Sequence, residues 1–167
     1  MSFLSRKPAR PEGRGRADQY DDYDDYAHDG YQSEDDGWSP NEYFSPEGIK
    51  GRWAGAPAGT KSIALVVDDS DAPITPYVYW LVFDIGPGTS ALAEGQLPPG
   101  ARQAKGTAGY ERYDPPCPGS GGHSYRFTVY ALNRALNLPN GTSLQSAWQA
   151  VAAATIGRGR LTVSATS

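Results

Sequence analysis

Two apolar runs of strand length constrain this chain more than anything else in it: SIALVVD at residues 62–68 and YVYWLVFDI at residues 77–85. Each is apolar at odd and even positions alike and rich in β-branched and aromatic residues, so each has two faces to hide. Both are expected to be central strands buried between two layers. A third strand follows over residues 125–132, with Tyr125, Phe127, Val129 and Ala131 on one face and Ser124, Arg126, Thr128 and Tyr130 on the other.

Between the strands the punctuation is regular. Ser45-Pro46 and GIKGRWAGAP at residues 48–57 lead into the body, with Ile49 and Trp53 as core anchors, and Gly86 to Gly109 reads as a long surface loop. After the turn Pro139-Asn140-Gly141, a helix is expected with Thr142 or Ser143 as its cap. Its interior is alanine-rich, Leu144, Trp148, Val151 and Ala152 share one face, and Gly157 stops it. Residues 160–164, RLTVS, form a last short strand. Strands separated by loops, with a single late helix, make the chain a mostly β sandwich.

The first residues are of another kind. Residues 1–16 carry five Lys/Arg against one Glu, residues 18–36 hold nine Asp/Glu and no Lys/Arg, and the rest is within one charge of neutral. Residues 1–37 have few aliphatics, so they cannot bury enough surface to offset an ordering cost of roughly 1–2 kcal/mol per residue. They are expected to be a disordered acidic, tyrosine-rich tail, followed by one domain over residues 38–167. The tail reads either as a docking or self-inhibiting segment for a protein partner through residues 18–36, or as a solubilising extension.

A near-neutral domain makes no case for nucleic acid, which needs a clustered basic face. The opening MSFLSRKPARPEGRGR lacks the apolar run of a signal peptide, and no stretch of about 18 apolar residues occurs, so a cytoplasmic protein that is not integral to a membrane is expected. Cys117 is alone, which leaves no disulfide framework and no cysteine-based metal motif. No oligomeric state can be read from these features.

Chemistry concentrates in two places. Asp68, Asp69 and Asp71 end the first strong strand in VVDDSDAP, where they could ligate a hard cation, supply one Asp to orient a histidine or receive backbone N–H groups, or form a solvated turn. A stiff loop, DPPCPGSGG at residues 114–122, delivers His123, the one imidazole outside the tail, to the mouth of the third strand. His123 could be a general base, a phosphate ligand or a polar residue satisfied within its loop. Covalent catalysis finds little support, since no Ser stands in a Gly-x-Ser-x-Gly turn and Cys117 lies between prolines. GTAG at residues 106–109 is too short to cradle a phosphate.

Four blocks in order give residues 44–164 a resemblance to the phosphatidylethanolamine-binding protein family, in particular its short bacterial branch. They are Ser45-Pro46 with Trp53 and residues 57–60; Asp69-Ser70-Asp71-Ala72-Pro73; Tyr79-Trp80; and Pro116-Cys117-Pro118 with His123-Ser124-Tyr125. The Raf kinase inhibitor proteins and the plant flowering regulators belong to the same family. The resemblance implies an antiparallel β-sandwich with a small anion pocket at one end, taking phosphate or phosphorylated headgroups with no metal or cofactor. The pocket positions it carries over are Asp69, Ala72, Pro73, Tyr79, Trp80, Pro116, His123 and Tyr125. Departures from the family pattern are Tyr79 where it has histidine, Ser70 and Gly119 where it has proline, and a chain end without its Gly-x-Tyr.

The expected function is therefore binding of a phosphate or phosphorylated small molecule, regulatory through protein partners. The alternative is an enzyme performing acid–base chemistry on a small metabolite with Asp69, His123 and Tyr79 or Tyr125. A third reading gives the tail the function and leaves the pocket vestigial.

Overall fold

The computed structural model describes residues 4–5, 51–72, 76–93, 95–116 and 122–166. In chain order its elements are β1 (Leu4–Ser5), β2 (Gly51–Arg52), β3 (Ser62–Asp69), β4 (Tyr77–Ile85), β5 (Ala91–Leu92), β6 (Arg102–Gln103), β7 (Gly122–Leu132), α1 (Leu144–Ala154) and β8 (Thr155–Thr166). A six-stranded sheet runs β1-β8-β7-β3-β4-β6, and a two-stranded sheet pairs β2 with β5. All the strand pairs are antiparallel.

The two-faced apolar strands sit where their composition demands. β3 is flanked by β7 and β4 and is buried along its whole length. On one face of the large sheet Ile63, Leu65, Val67, Val82, Phe127 and Val129 pack with Trp53, which follows β2, and with Leu92 of β5. On the other, Ala64, Val66, Leu81, Phe83 and Leu132 pack with Ala147, Val151 and Ala154 of α1. Each large apolar side chain so enclosed contributes about 1.5–3 kcal/mol. The result is the expected antiparallel sandwich, with the helix as a further layer on the large sheet.

Several local expectations are corrected. Ser143 caps α1, accepting the Ser146 N–H at 3.1 Å, but the helix ends at Thr155 and Gly157 is a buried strand residue opposite Ala131. Ala152 is exposed; the buried stripe is Ala147, Val151 and Ala154, with Leu144 and Trp148 half-buried beside it. The last strand is not short, because β8 pairs with β7 from Leu132 back to Gly122 and the ladder carries its Gly and Arg residues along. The 86–109 stretch contains β5 and β6. Leu4–Ser5, within the segment expected to lack structure, pairs with Arg158 and Gly157 at the edge that β8 would otherwise leave open there. The rest of residues 1–37 lies outside the described residues, as do Ser45, Pro46 and Ile49.

Two bulges interrupt β4. Opposite β3 the pairing jumps from Val67 with Trp80 to Asp68 with Val78, so Tyr79 is an extra residue; a second jump leaves Asp84 extra, at a φ of 57°. The Asp84 carboxylate accepts the N–H groups of Leu136 and Asn137 at 2.6 and 2.9 Å, tying the loop before α1 to the strand. A bulge re-aims the side chain it carries, and the first one does so at Tyr79.

Candidate functional site

Asp69 closes β3 and stands opposite Tyr125 of β7 and Tyr77 of β4. Its side chain has 0% exposure, yet both oxygens have partners. Oδ1 accepts the Asp71 N–H at 2.8 Å, the local turn that Asp favours, and Oδ2 lies 2.7 Å from Nδ1 of His123. An ionised carboxylate can only accept, so the imidazole carries a proton on Nδ1 and its Nε2 is the group left for other chemistry. The ring is 19% exposed, which keeps it in reach of solvent. Ser70 N–H donates to the Ser124 carbonyl at 3.3 Å and fastens the aspartate turn to the start of β7.

Aromatic rings form the rest of the site. The Tyr125 ring lies nearly parallel to His123, with centroids 6.0 Å apart and 13° between planes, and Tyr79 meets Tyr125 edge-on at 5.9 Å. Tyr77 packs against Tyr79 at 4.8 Å. Burial pushes the Tyr79 phenol well above its ordinary range, and the nearby Asp69 charge pushes the same way. Tyr79 is accordingly a neutral phenol wherever the protein is folded near neutrality. Trp80 is buried, and its indole N–H donates to Gln103 Oε1 at 2.6 Å, so it is a wall of the site rather than a donor into it. Tyr113 meets Trp80 edge-on at 5.8 Å.

The GTAG segment has a structural job. Thr107 N–H donates to the Val78 carbonyl at 2.9 Å while its Oγ1 accepts the Val78 N–H at 2.8 Å, and Asp114 N–H donates to the Tyr79 carbonyl at 3.2 Å. These bonds clasp residues 106–114 to β4 beside the bulge. A Cβ on Gly106 would stand 2.8 Å from the Val78 carbonyl, so the close approach requires glycine there.

Of the residues singled out from sequence, Asp69, Tyr79, His123 and Tyr125 come together, and Trp80 lies beside them. Ala72 and Pro116 are half-buried in the two loops, and Pro73 lies outside the described residues, as does Cys117. The three aspartates do not converge. Asp68 points to the opposite face, where Arg126 binds it through Nε at 3.0 Å and through a second nitrogen, and among the described residues no group of three His, Cys, Asp or Glu is placed to hold a metal ion.

Residues 41–166 match the family profile described as phosphatidylethanolamine-binding protein. The chain belongs to this family. Among its relatives, LppC of Mycobacterium tuberculosis, named as a lipoprotein, is 46% identical over 108 residues, covering 64% of this chain and 54% of that protein. The chain thus spans about half the length of that relative. A UPF0098 protein of Methanothermobacter thermautotrophicus is 38% identical over 114 residues, 65% of this chain and 76% of the relative. Two solved structures of the phosphatidylethanolamine-binding protein family share the fold. YbcL of E. coli has a TM-score of 0.68 at 27% identity, covering 77% of this chain and 90% of that one. The homologue CT736 of Chlamydia trachomatis has a TM-score of 0.66 at 30% identity, covering 72% and 81%.

Within the site of this family member, sequence reasoning missed Tyr77, Gln103, Tyr113 and Asp114. Tyr77 opens an apolar run, which hides it as core. Tyr113-Asp114 stands immediately before Pro115-Pro116, and that adjacency to the stiff loop is the available signal.

Proposed function

We propose that this member of the family binds a phosphate or phosphorylated small molecule through Nε2 of His123 and acts through protein partners. The observation that carries this reading is the 2.7 Å contact between buried Asp69 and a partly exposed His123, which fixes the ring and leaves Nε2 to meet an anion. Supporting it are the neighbouring Tyr125 and the family to which the chain belongs. Isothermal titration with inorganic phosphate, phosphoethanolamine and nucleotides tests it on wild type and His123→Ala. Wild type should bind at least one of them and His123→Ala should lose that binding; silence from wild type throughout would overturn the reading.

The partner surface in this proposal is the acidic segment 18–36, and the compartment is the cytoplasm. One relative is named as a lipoprotein, so cell fractionation is the direct check: recovery of the chain with membranes would overturn a cytoplasmic assignment. No helix among the described residues is long and apolar enough to cross a membrane.

The same Asp69–His123 dyad favours a second reading, proton transfer through Nε2 on a small metabolite. In that reading Tyr79 serves only as a donor, since its phenol is held neutral.

A further inference from the structure

The six-stranded sheet ends in two edges, and they are covered differently. At β6 the loop 138–142 lies along the edge. Arg102 Nη1 donates to the Leu138 carbonyl at 2.8 Å, the Gln103 N–H to Asn140 Oδ1 at 2.8 Å, the Gly141 N–H to the Gln103 carbonyl at 2.8 Å, and the Lys105 N–H to the Thr142 carbonyl at 3.0 Å. That edge is closed to a further strand. At β8 the cover is short, since β1 pairs with Gly157 and Arg158 alone. From Gly159 to Thr166 the side of β8 turned away from β7 has no strand against it among the described residues.

An unpaired edge offers a row of backbone N–H and C=O groups to any strand that meets it, and proteins usually blunt one with lysine, proline or a bulge. Residues 159–166, GRLTVSAT, contain no proline, no lysine and no acidic residue. Their ladder with β7 is regular from Gly159 to Thr166, the register shift lying back at Leu132. Alternation gives the stretch two characters. Leu161 and Val163 belong to the core on the Trp53 face, Leu161 only half-buried, while Thr162 and Ser164 are exposed on the other face. An apolar stripe that stops half-covered at a strand edge is continued by another strand of the same pattern. β1 shows the sense in which this edge takes a strand, which is antiparallel.

The strand that fits is β8 of a second copy. A twofold axis through Val163 pairs two such edges antiparallel: Val163 faces its own counterpart, Leu161 faces position 165, Thr162 faces Ser164, and Arg160 faces position 166. The apolar stripe then runs from one copy into the other. The two Arg160 residues stand roughly 20 Å apart along the seam, too far to repel strongly. The pairing stops short of Arg158, so Leu4–Ser5 keeps its place. We propose that two copies of this chain associate edge to edge through residues 160–166 of β8, forming one continuous antiparallel sheet and leaving the Asp69–His123 dyad, on β3 and β7, outside the seam.

Sedimentation velocity on the full chain over a wide range of concentration tests this. Wild type should pass from one copy to two as concentration rises and go no further, because a twofold seam uses up the edge it is made of. Thr162→Lys, at an exposed position, should fold as wild type does by circular dichroism. It should associate at least about tenfold more weakly, since the two lysines stand about 7–8 Å apart diagonally across the seam. Ser164→Glu, also exposed, should do the same. An equimolar mixture of the two variants should recover association, because position 162 of one copy faces position 164 of the other and lysine there meets glutamate. A wild type that stays a single copy at every concentration overturns the proposal, as does a growing series of larger assemblies or an association that both substitutions leave unchanged. A mixture that associates no better than either variant alone overturns the pairing about Val163. Should either substitution unfold the chain, backbone amide exchange of wild type decides instead: amides within 160–166 must slow as concentration rises, and equal exchange at all concentrations sinks the seam.

Discussion

Asp68 and Asp69 are consecutive, of one chemistry, and both have 0% side-chain exposure, yet they serve opposite ends. Alternation along β3 sends them to opposite faces, and what each meets there is decided by the ladder with β7, where Asp68 is paired with Arg126 and Asp69 with Tyr125. On the Asp68 face the partner is a guanidinium that is permanently charged and itself buried. On the Asp69 face the partner is an imidazole that reaches solvent and keeps Nε2 for another partner. The difference teaches that a buried aspartate is not in itself a sign of a site. The closed pair fixes the register of two strands, and the open one presents an imidazole held at the end of the sheet.

The largest expected effect comes from breaking the closed pair. Asp68→Ala strands the Arg126 charge in the interior and should cost roughly 3–5 kcal/mol in urea unfolding, whereas the double variant Asp68→Leu, Arg126→Met should recover most of that loss. If the single substitution cost no more than a surface change, the pair would not be buried in the sense argued. Next, Asp69→Asn should cost less, about 1.5–3 kcal/mol, because the amide oxygen can still accept from the Asp71 N–H and only the bond to His123 is lost. It should nonetheless abolish phosphate binding by titration calorimetry, separating the two aspartates by function. Ser143→Ala, remote from both, should cost about 1 kcal/mol through loss of the helix cap and leave binding untouched.

The smallest effect at neutral pH is that of Tyr79→Phe. The folded protein holds this phenol above the ordinary value of 10.0, so protons are bound more tightly in the folded than in the unfolded state. Stability should therefore be intact below that value and fall as pH rises beyond it, and Tyr79→Phe should flatten the fall in an alkaline thermal melt. An unchanged slope would mean that the open face does not enclose Tyr79.

Much of this arrangement is legible in the chain. β4 has the bounds its composition announces, β3 runs one residue further, and the linking of Asp69 to His123 is one of the readings that VVDDSDAP allows. What cannot be read has physical causes. Bulges arise from a mismatch between two strands, so nothing in YVYWLVFDI alone marks Tyr79 or Asp84 as the extra residue. Gly157 reads as a helix stop, which delays the last strand to Arg160, and only the ladder with β7 makes residues 155–159 part of β8. The Asp68–Arg126 pair spans 58 positions and leaves no local signal. Asp114 looks like loop punctuation before prolines until its N–H is seen to bond Tyr79.

The pairing of Leu4–Ser5 with β8 makes the chain between β1 and β2 a loop by connectivity alone, since both strands are paired. Closing such a loop costs entropy that grows only with the logarithm of its length, while it keeps β1 at a high effective concentration beside β8. One proteolytic cut anywhere between residues 6 and 50 would turn that pairing into a bimolecular one, and two residues of ladder could not hold it. The edge of β8 at Gly157 and Arg158 would then be open to another strand, so cleavage of a segment outside the Asp69–His123 dyad could change the company the sheet keeps.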